Sequence, residues 1–267
     1  MSNLSRLATG SAVVAIIFAV AVGAGWWFFI RDDAKLATSA PTIPTDLVKG
    51  TASPAVKTVS AGATPGAAAA TALAASVPTI PADAAAAGGT TFTILSDRSE
   101  AAYFADEKLA SLPLPSTAKG STKGIAGKFH LKGDATSLDV SKPSSFTVDL
   151  TTLKSDQDRR DRRVQDTLET GTFTSATFTV TSATGFDPAI AAGKEQSLTL
   201  TGTMDLHGVK KQITWDVKAR KLGNVITALA TVTFPFEDFN MSPPSIVGFV
   251  SVQDHITLQV QIVAQAS

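Results

Sequence analysis

Few residues in this 267-residue chain could carry chemistry, because it contains three histidines and no cysteine. Without cysteine there is no disulfide, no thiolate metal site, no thiol nucleophile and no lipidated-cysteine anchor. His130, His207 and His255 fall on separate segments, and none has the i, i+4 partner that presents two imidazoles to one metal. His207 opens a turn signal with Gly208, whereas His130 and His255 take polar positions in alternating runs. Serine and threonine are abundant, yet no G-x-S-x-G elbow is present and no base can be assigned to any of them. Glu237-Asp238 reads as a solvated turn and not as an acid/base couple. The chain is therefore read as a non-enzyme, with no cofactor and no metal site.

Arginine is more concentrated. Arg159, Arg160, Arg162 and Arg163 set four guanidinium groups within five residues. Such a cluster suits lipid phosphates. Asp158 and Asp161 stand in or beside it, however, and internal i, i+3 and i, i+4 ion pairing is the favoured reading. Over the whole chain 23 basic residues balance 23 acidic ones, so no broad basic surface points to a nucleic-acid partner.

Three zones position these groups. After a short cytoplasmic N-terminus, residues 1–10, the stretch 11–30 holds no charge and ends in Trp26-Trp27-Phe28-Phe29-Ile30. A helix of that length rises about 30 Å, one hydrocarbon core, with the tryptophans at the interfacial belt. It predicts a transmembrane anchor. A cleaved signal peptide, cut after the small residues Ala21 and Gly23, is the competing reading, disfavoured because the apolar run continues beyond them. The expected topology is N-in, C-out: a single-pass protein of a bacterial cell membrane with its C-terminal domain extracytoplasmic. Residues 31–89 have linker composition, rich in Ala, Pro, Thr, Ser and Gly, and predict a flexible, disordered coil spanning roughly 40 Å.

From residue 90 to 267 apolar and polar residues alternate, the period-2 mark of strands with one buried face. Phe146, Val148 and Leu150 share a face, as do Leu198, Leu200, Met204 and Leu206, then Ile213, Trp215, Val217 and Ala219, then Ile256, Leu258, Val260 and Ile262. Ile125, Phe129 and Leu131 repeat the pattern, and so do Val232, Phe234 and Phe236. The fold class is all-β, and eight or nine strands in meander order suit a closed antiparallel barrel. One segment departs: Ser155–Leu168 reads as a short helix capped by Ser155, with only Val164 and Leu168 apolar at helical spacing, set over a barrel end or edge.

Four stretches of this third zone resemble the YceI-like family. They are Phe92-Thr93-Ile94 with Arg98-Ser99-Glu100-Ala101 and Tyr103; Leu153-Lys154-Ser155-Asp156 with Arg160-Asp161 and Phe173-x-x-Ala176-Thr177-Phe178; Leu200-Thr201-Gly202-Thr203-Met204-Asp205-Leu206-His207-Gly208-Val209-Lys210-Lys211; and Val247-Gly248-Phe249-Val250-Ser251-Val252-Gln253-Asp254-x-x-Thr257-Leu258. The resemblance implies an eight-stranded lipocalin-like barrel, exported or periplasmic, whose elongated apolar cavity holds a polyisoprenoid. Two departures bear on the ligand's head group: Arg98-Ser99 stands where many relatives have His-Ser, and Thr167-Leu168-Glu169-Thr170 replaces an aromatic pair.

An apolar tube binds a long lipid through area alone, at about 25 cal/mol per Å². Phe129, Phe146, Phe178, Met204, Trp215 and Phe234 are the nominated lining residues. The resemblance thus implies an isoprenoid or other long-chain lipid as partner, with the membrane met through the N-terminal helix. A barrel core filled by those same side chains, in an envelope structural or interaction protein, is the alternative that alternation alone leaves open. Oligomeric state is not assigned.

Overall fold

Alternation from residue 90 onward builds a closed barrel. The computed structural model describes residues 34–48, 89–109, 116–133, 137–187, 189–246 and 250–267. The eight strands are β1 (Thr90–Ile94 and Glu100–Leu109), β2 (Ser116–Thr122 and Ile125–Leu131), β3 (Ser145–Asp149 and Lys154–Ser155), β4 (Ser175–Thr184), β5 (Gln196–Leu206), β6 (Val209–Leu222), β7 (Val225–Phe234) and β8 (Val250–Ala266). Each pairs antiparallel with the next. β8 returns to both halves of β1 and closes the barrel, while Lys154–Ser155 pairs on one side only, with Gly120 and Ser121 of β2. The predicted eight-stranded antiparallel architecture is the observed one.

The break in β1 is repaired by a side chain. Ser96–Arg98 form a 3-10 turn, and the ladder skips a residue beside Val263. The buried Ser99 hydroxyl accepts the Val263 N–H at 3.0 Å and donates to the Leu95 carbonyl at 2.7 Å. At the opposite end β5 and β6 join through His207 and Gly208, both at positive φ, 53° and 73°. That pair makes the turn whose twist matches a hairpin.

The helix, α1, spans Asp158–Thr167, three residues shorter at its start than the sequence predicts. Ser155 is not its cap. It pairs with Gly120 as the last residue of β3, while its N–H and hydroxyl both donate to the Asp161 carboxylate at 2.7 Å. The helix therefore starts only after the chain has left the ladder. Burial pushes the Asp161 carboxyl up, but the Ser155 donors and Lys154 reverse this and hold it below the usual carboxylate value. A depressed pKa stabilises the fold at neutral pH, and the contribution fades as pH falls through that folded value. The arginines also differ from expectation. Only Arg160 is paired, to Glu107 and Asp156, and Arg159, Arg162 and Arg163 are exposed with no ion pair among the described residues.

No helix among the described residues is long and apolar enough to cross a membrane. The predicted span at 11–30 lies outside those residues, as do residues 1–10 and 49–88. Residues 34–48 correct the linker prediction, because they are bound to the barrel as a strap across its outer wall. Ala34 N–H donates to the Thr117 carbonyl at 3.3 Å, and the Gln259 amide clamps Ala37, accepting its N–H at 2.9 Å and donating to its carbonyl at 3.0 Å. Further along, Ala40 N–H meets Glu195 at 2.8 Å, Thr227 donates to the Pro41 carbonyl at 2.7 Å, and Asn224 and Gln265 both donate to the Leu47 carbonyl at 3.1 Å. The physical reason is pairing: each strap backbone group named here finds a barrel partner, which holds in place a segment that has no aromatic side chain.

Candidate functional site

The inward residues do not fill the barrel. They enclose a cavity of about 300 Å³ that runs from α1 to the β6–β7 hairpin end. A filled core is thereby excluded. Phe129, Phe146, Phe178, Met204, Trp215 and Phe234, the six nominated residues, all stand on its wall. Phe129 stacks on Phe92 at 5.4 Å, and Phe178 meets Trp215 edge-on at 5.9 Å, so these rings are held against the wall by neighbours. Between Ile226 and Phe234 two inward positions of β7 are small, Ala228 and Ala230, and part of the open volume lies against them. At the α1 end Val164 and Leu168 form the boundary; at the hairpin end Thr184, Gln196 and Lys221 make it polar.

Three buried donors on residues that line the cavity have no hydrogen-bond partner among the described residues: Arg220 Nε, whose guanidinium pairs with Glu195 at the polar hairpin end, and, in the apolar part, Tyr103 Oη and Trp215 Nε1. Tyr103 and Trp215 are almost wholly buried, 7 % and 5 % exposed. Tyr103 reaches inward over a glycine: a Cβ on Gly120 would lie 2.3 Å from the Tyr103 ring. Burial, the main cause, pushes the phenol well above its ordinary pKa, so Tyr103 remains a neutral donor. An unpaired buried donor costs about 1–3 kcal/mol, and an acceptor oxygen placed beside it would relieve that cost. Sequence alternation puts Trp215 inside the barrel, whereas the run Glu100-Ala101-Ala102-Tyr103-Phe104-Ala105 does not alternate and leaves Tyr103 unplaced; their lack of partners is a tertiary fact with no local signal.

The two departures from the family pattern separate. Arg98 is not on the cavity wall. Its guanidinium forms a two-pronged pair with Asp46 of the strap at 3.1 and 2.7 Å, on the outer surface. Thr167 and Leu168 do border the cavity, while Glu169 turns away at φ 46° with its carboxylate 3.6 Å from His207 Nε2. The three histidines stay apart. His130 bonds Thr91 at 2.9 Å, His255 lies 3.7 Å from Asp106, and His207 Nδ1 donates to the Phe239 carbonyl at 3.1 Å, which fixes its proton on Nδ1. Among the described residues no three His, Asp or Glu side chains converge as metal ligands would.

The chain is similar to several solved structures at low identity. A polyisoprenoid binding domain from Saccharophagus degradans, implicated in plant cell wall breakdown, is 16 % identical with a TM-score of 0.49, covering 66 % of this chain and 98 % of that one. Burkholderia cenocepacia BcnA is likewise 16 % identical at 0.49, over 64 % and 99 % of the two chains. The Campylobacter jejuni YceI protein is 19 % identical at 0.45, over 55 % and 84 %. No curated protein matches the sequence. The sequence does match the YceI-like domain from residue 92 to residue 264, nearly the whole barrel, and the chain belongs to that family.

Proposed function

We propose that this protein is a membrane-tethered, extracytoplasmic lipid-binding module that holds an isoprenoid-type lipid in its barrel and stores, shields or carries it. The observation that carries the reading is the apolar cavity of about 300 Å³. A hydrocarbon chain needs no charged contact there, because each buried methylene contributes about 0.8 kcal/mol. No covalent step is involved. The isoprenoid class is assigned on membership of the YceI-like family, and the similar Saccharophagus domain is described as polyisoprenoid-binding.

The two orphaned donors of the apolar part refine the ligand's chemistry. An aliphatic tail alone would leave Tyr103 Oη and Trp215 Nε1 unpaired, whereas a carbonyl, hydroxyl or ether oxygen on the lipid would accept from them. The lipid is to be extracted from protein purified without detergent exchange and identified by mass spectrometry. Tyr103→Phe and Trp215→Phe are each expected to weaken binding of an oxygen-bearing isoprenoid roughly tenfold and leave a pure hydrocarbon such as squalene unaffected. Equal losses for both ligands would remove the head-group assignment. Protein that carries no lipid and takes up neither ligand would remove the function.

The tether is assigned to residues 11–30, whose uncharged run is long enough for one crossing. Protease added to intact spheroplasts is expected to degrade the barrel, and full protection would place it on the cytoplasmic side instead.

A further inference from the structure

The strap does not begin at an arbitrary point on the barrel. Its first described residue, Ala34, bonds the Thr117 carbonyl, and Thr117 donates to Asp106 at 2.8 Å. The next residue of β1, Glu107, accepts from Arg160 of α1 at 3.3 Å. The chain therefore reaches the barrel at the α1 end. The apolar run ends at Ile30, four residues before Ala34. Four residues span at most about 14 Å.

The helix at that end is two-sided. Val164 and Leu168 face the cavity and Arg160 is tied down between Glu107 and Asp156. On the opposite side Arg159, Arg162 and Arg163 recur at i, i+3 and i+4, exposed, with Asp166 between them and Asp158 one turn before Arg162, so the face keeps a net positive charge. Pairing within the helix would leave this stripe neutral; three unpaired guanidinium groups make it a cationic face. Residues 49–88 do not lengthen the tether while the strap is bound, because they follow it in the chain.

From this we infer that α1 docks on an anionic bilayer surface, its three free arginines on phospholipid phosphates, so that the α1 end of the cavity is held against the membrane. The inference rests on the membrane-anchor reading above. Charge complementarity selects the partner: three exposed arginines match anionic headgroups, which the connection, at most about 14 Å long, keeps near the α1 end. Docked this way, the cavity boundary formed by Val164 and Leu168 faces the lipid source, and the polar hairpin end faces water.

The absence of cysteine permits a direct test with the full chain. Gly171, just beyond α1, is exposed and a Cβ there meets nothing within 4 Å, so Gly171→Cys accepts a fluorescent label; Ala192→Cys labels an exposed loop at the opposite end. Both are reconstituted into vesicles of brominated phosphatidylcholine, with or without phosphatidylglycerol. In the anionic vesicles the label at 171 is expected to be quenched roughly threefold more than that at 192. The difference should fall by about half or more with R159Q/R162Q/R163Q, or in about 1 M salt, where the Debye length is about 3 Å. Equal quenching at the two positions, or a difference that survives the triple substitution, overturns the docking and leaves the anchor standing. A chain that an alkaline carbonate wash strips from the vesicles overturns the anchor, and the docking with it.

Discussion

Phenylalanine at both Ala228 and Ala230 is expected to empty the barrel of lipid and leave it folded. The two alanines occupy successive inward positions of β7 and border a cavity of about 300 Å³. A ring at each position enters that open space and buries apolar surface of its own. The usual cost of overpacking a filled core, about 1–3 kcal/mol, is therefore relieved in part. The ligand has no such escape. Excluding one five-carbon unit forfeits about 4 kcal/mol at 0.8 kcal/mol per methylene, a loss of roughly several hundredfold in affinity. Lipid extracted from equal amounts of the parent and the double variant, with melting curves on both, checks the result. A variant that carries the same lipid at the same occupancy would show that the cavity near β7 is not where the ligand lies.

The barrel was legible because its information is local. Inward positions recur every second residue, so a list such as Leu198, Leu200, Met204 and Leu206 places a whole strand, and choosing its largest members found the wall. Whether those members meet across the barrel or stop short depends on strand tilt and on how large residues such as Trp215 and Phe178 are mixed with small ones such as Ala228 and Ala230 around the wall. That information is spread over the whole sheet. The helix start was misread for a related reason: Ser155 has cap chemistry, but β2 offers it a ladder partner that no local rule contains.

The strap was hidden more thoroughly, since Ala, Thr and Pro without aromatic residues read as linker by composition. Its signal was on the barrel instead. Val225-Ile226 and Leu229 on β7, and Ile262-Val263-Ala264 on β8, are apolar on both faces, where a barrel wetted outside should alternate. Val225, Leu229 and Val263 point outward and are nonetheless buried. Thr227 and Gln259, polar and outward, are only 0 % and 4 % exposed. A strand buried on both faces requires a second layer, and the strap's alanines and prolines are that layer.

A chain beginning at residue 89 is accordingly expected to melt below one beginning at residue 34. Removing the strap uncovers Val225, Leu229 and Val263 and takes the Pro41 carbonyl from Thr227 and both Ala37 partners from Gln259. Each fully re-exposed aliphatic side chain would cost about 1.5–3 kcal/mol, and each lost hydrogen bond about 0.5–1.5 kcal/mol. The uncovered groups regain water, and the strap's own ordering entropy no longer opposes folding, so only the surplus appears. A net loss of about 2–4 kcal/mol lowers the Tm of a barrel this size by roughly 5–12 °C. The exposed Arg98–Asp46 pair is left out of that sum. Gln259→Ala separates cover from other effects of truncation: it should destabilise the chain that begins at 34 more than the one that begins at 89, where both Ala37 bonds are already gone and only the bond to Thr231 is left to lose. Identical melting of the two lengths, or an equal effect of Gln259→Ala in both, would reduce the strap to a passive contact and return residues 34–48 to the linker.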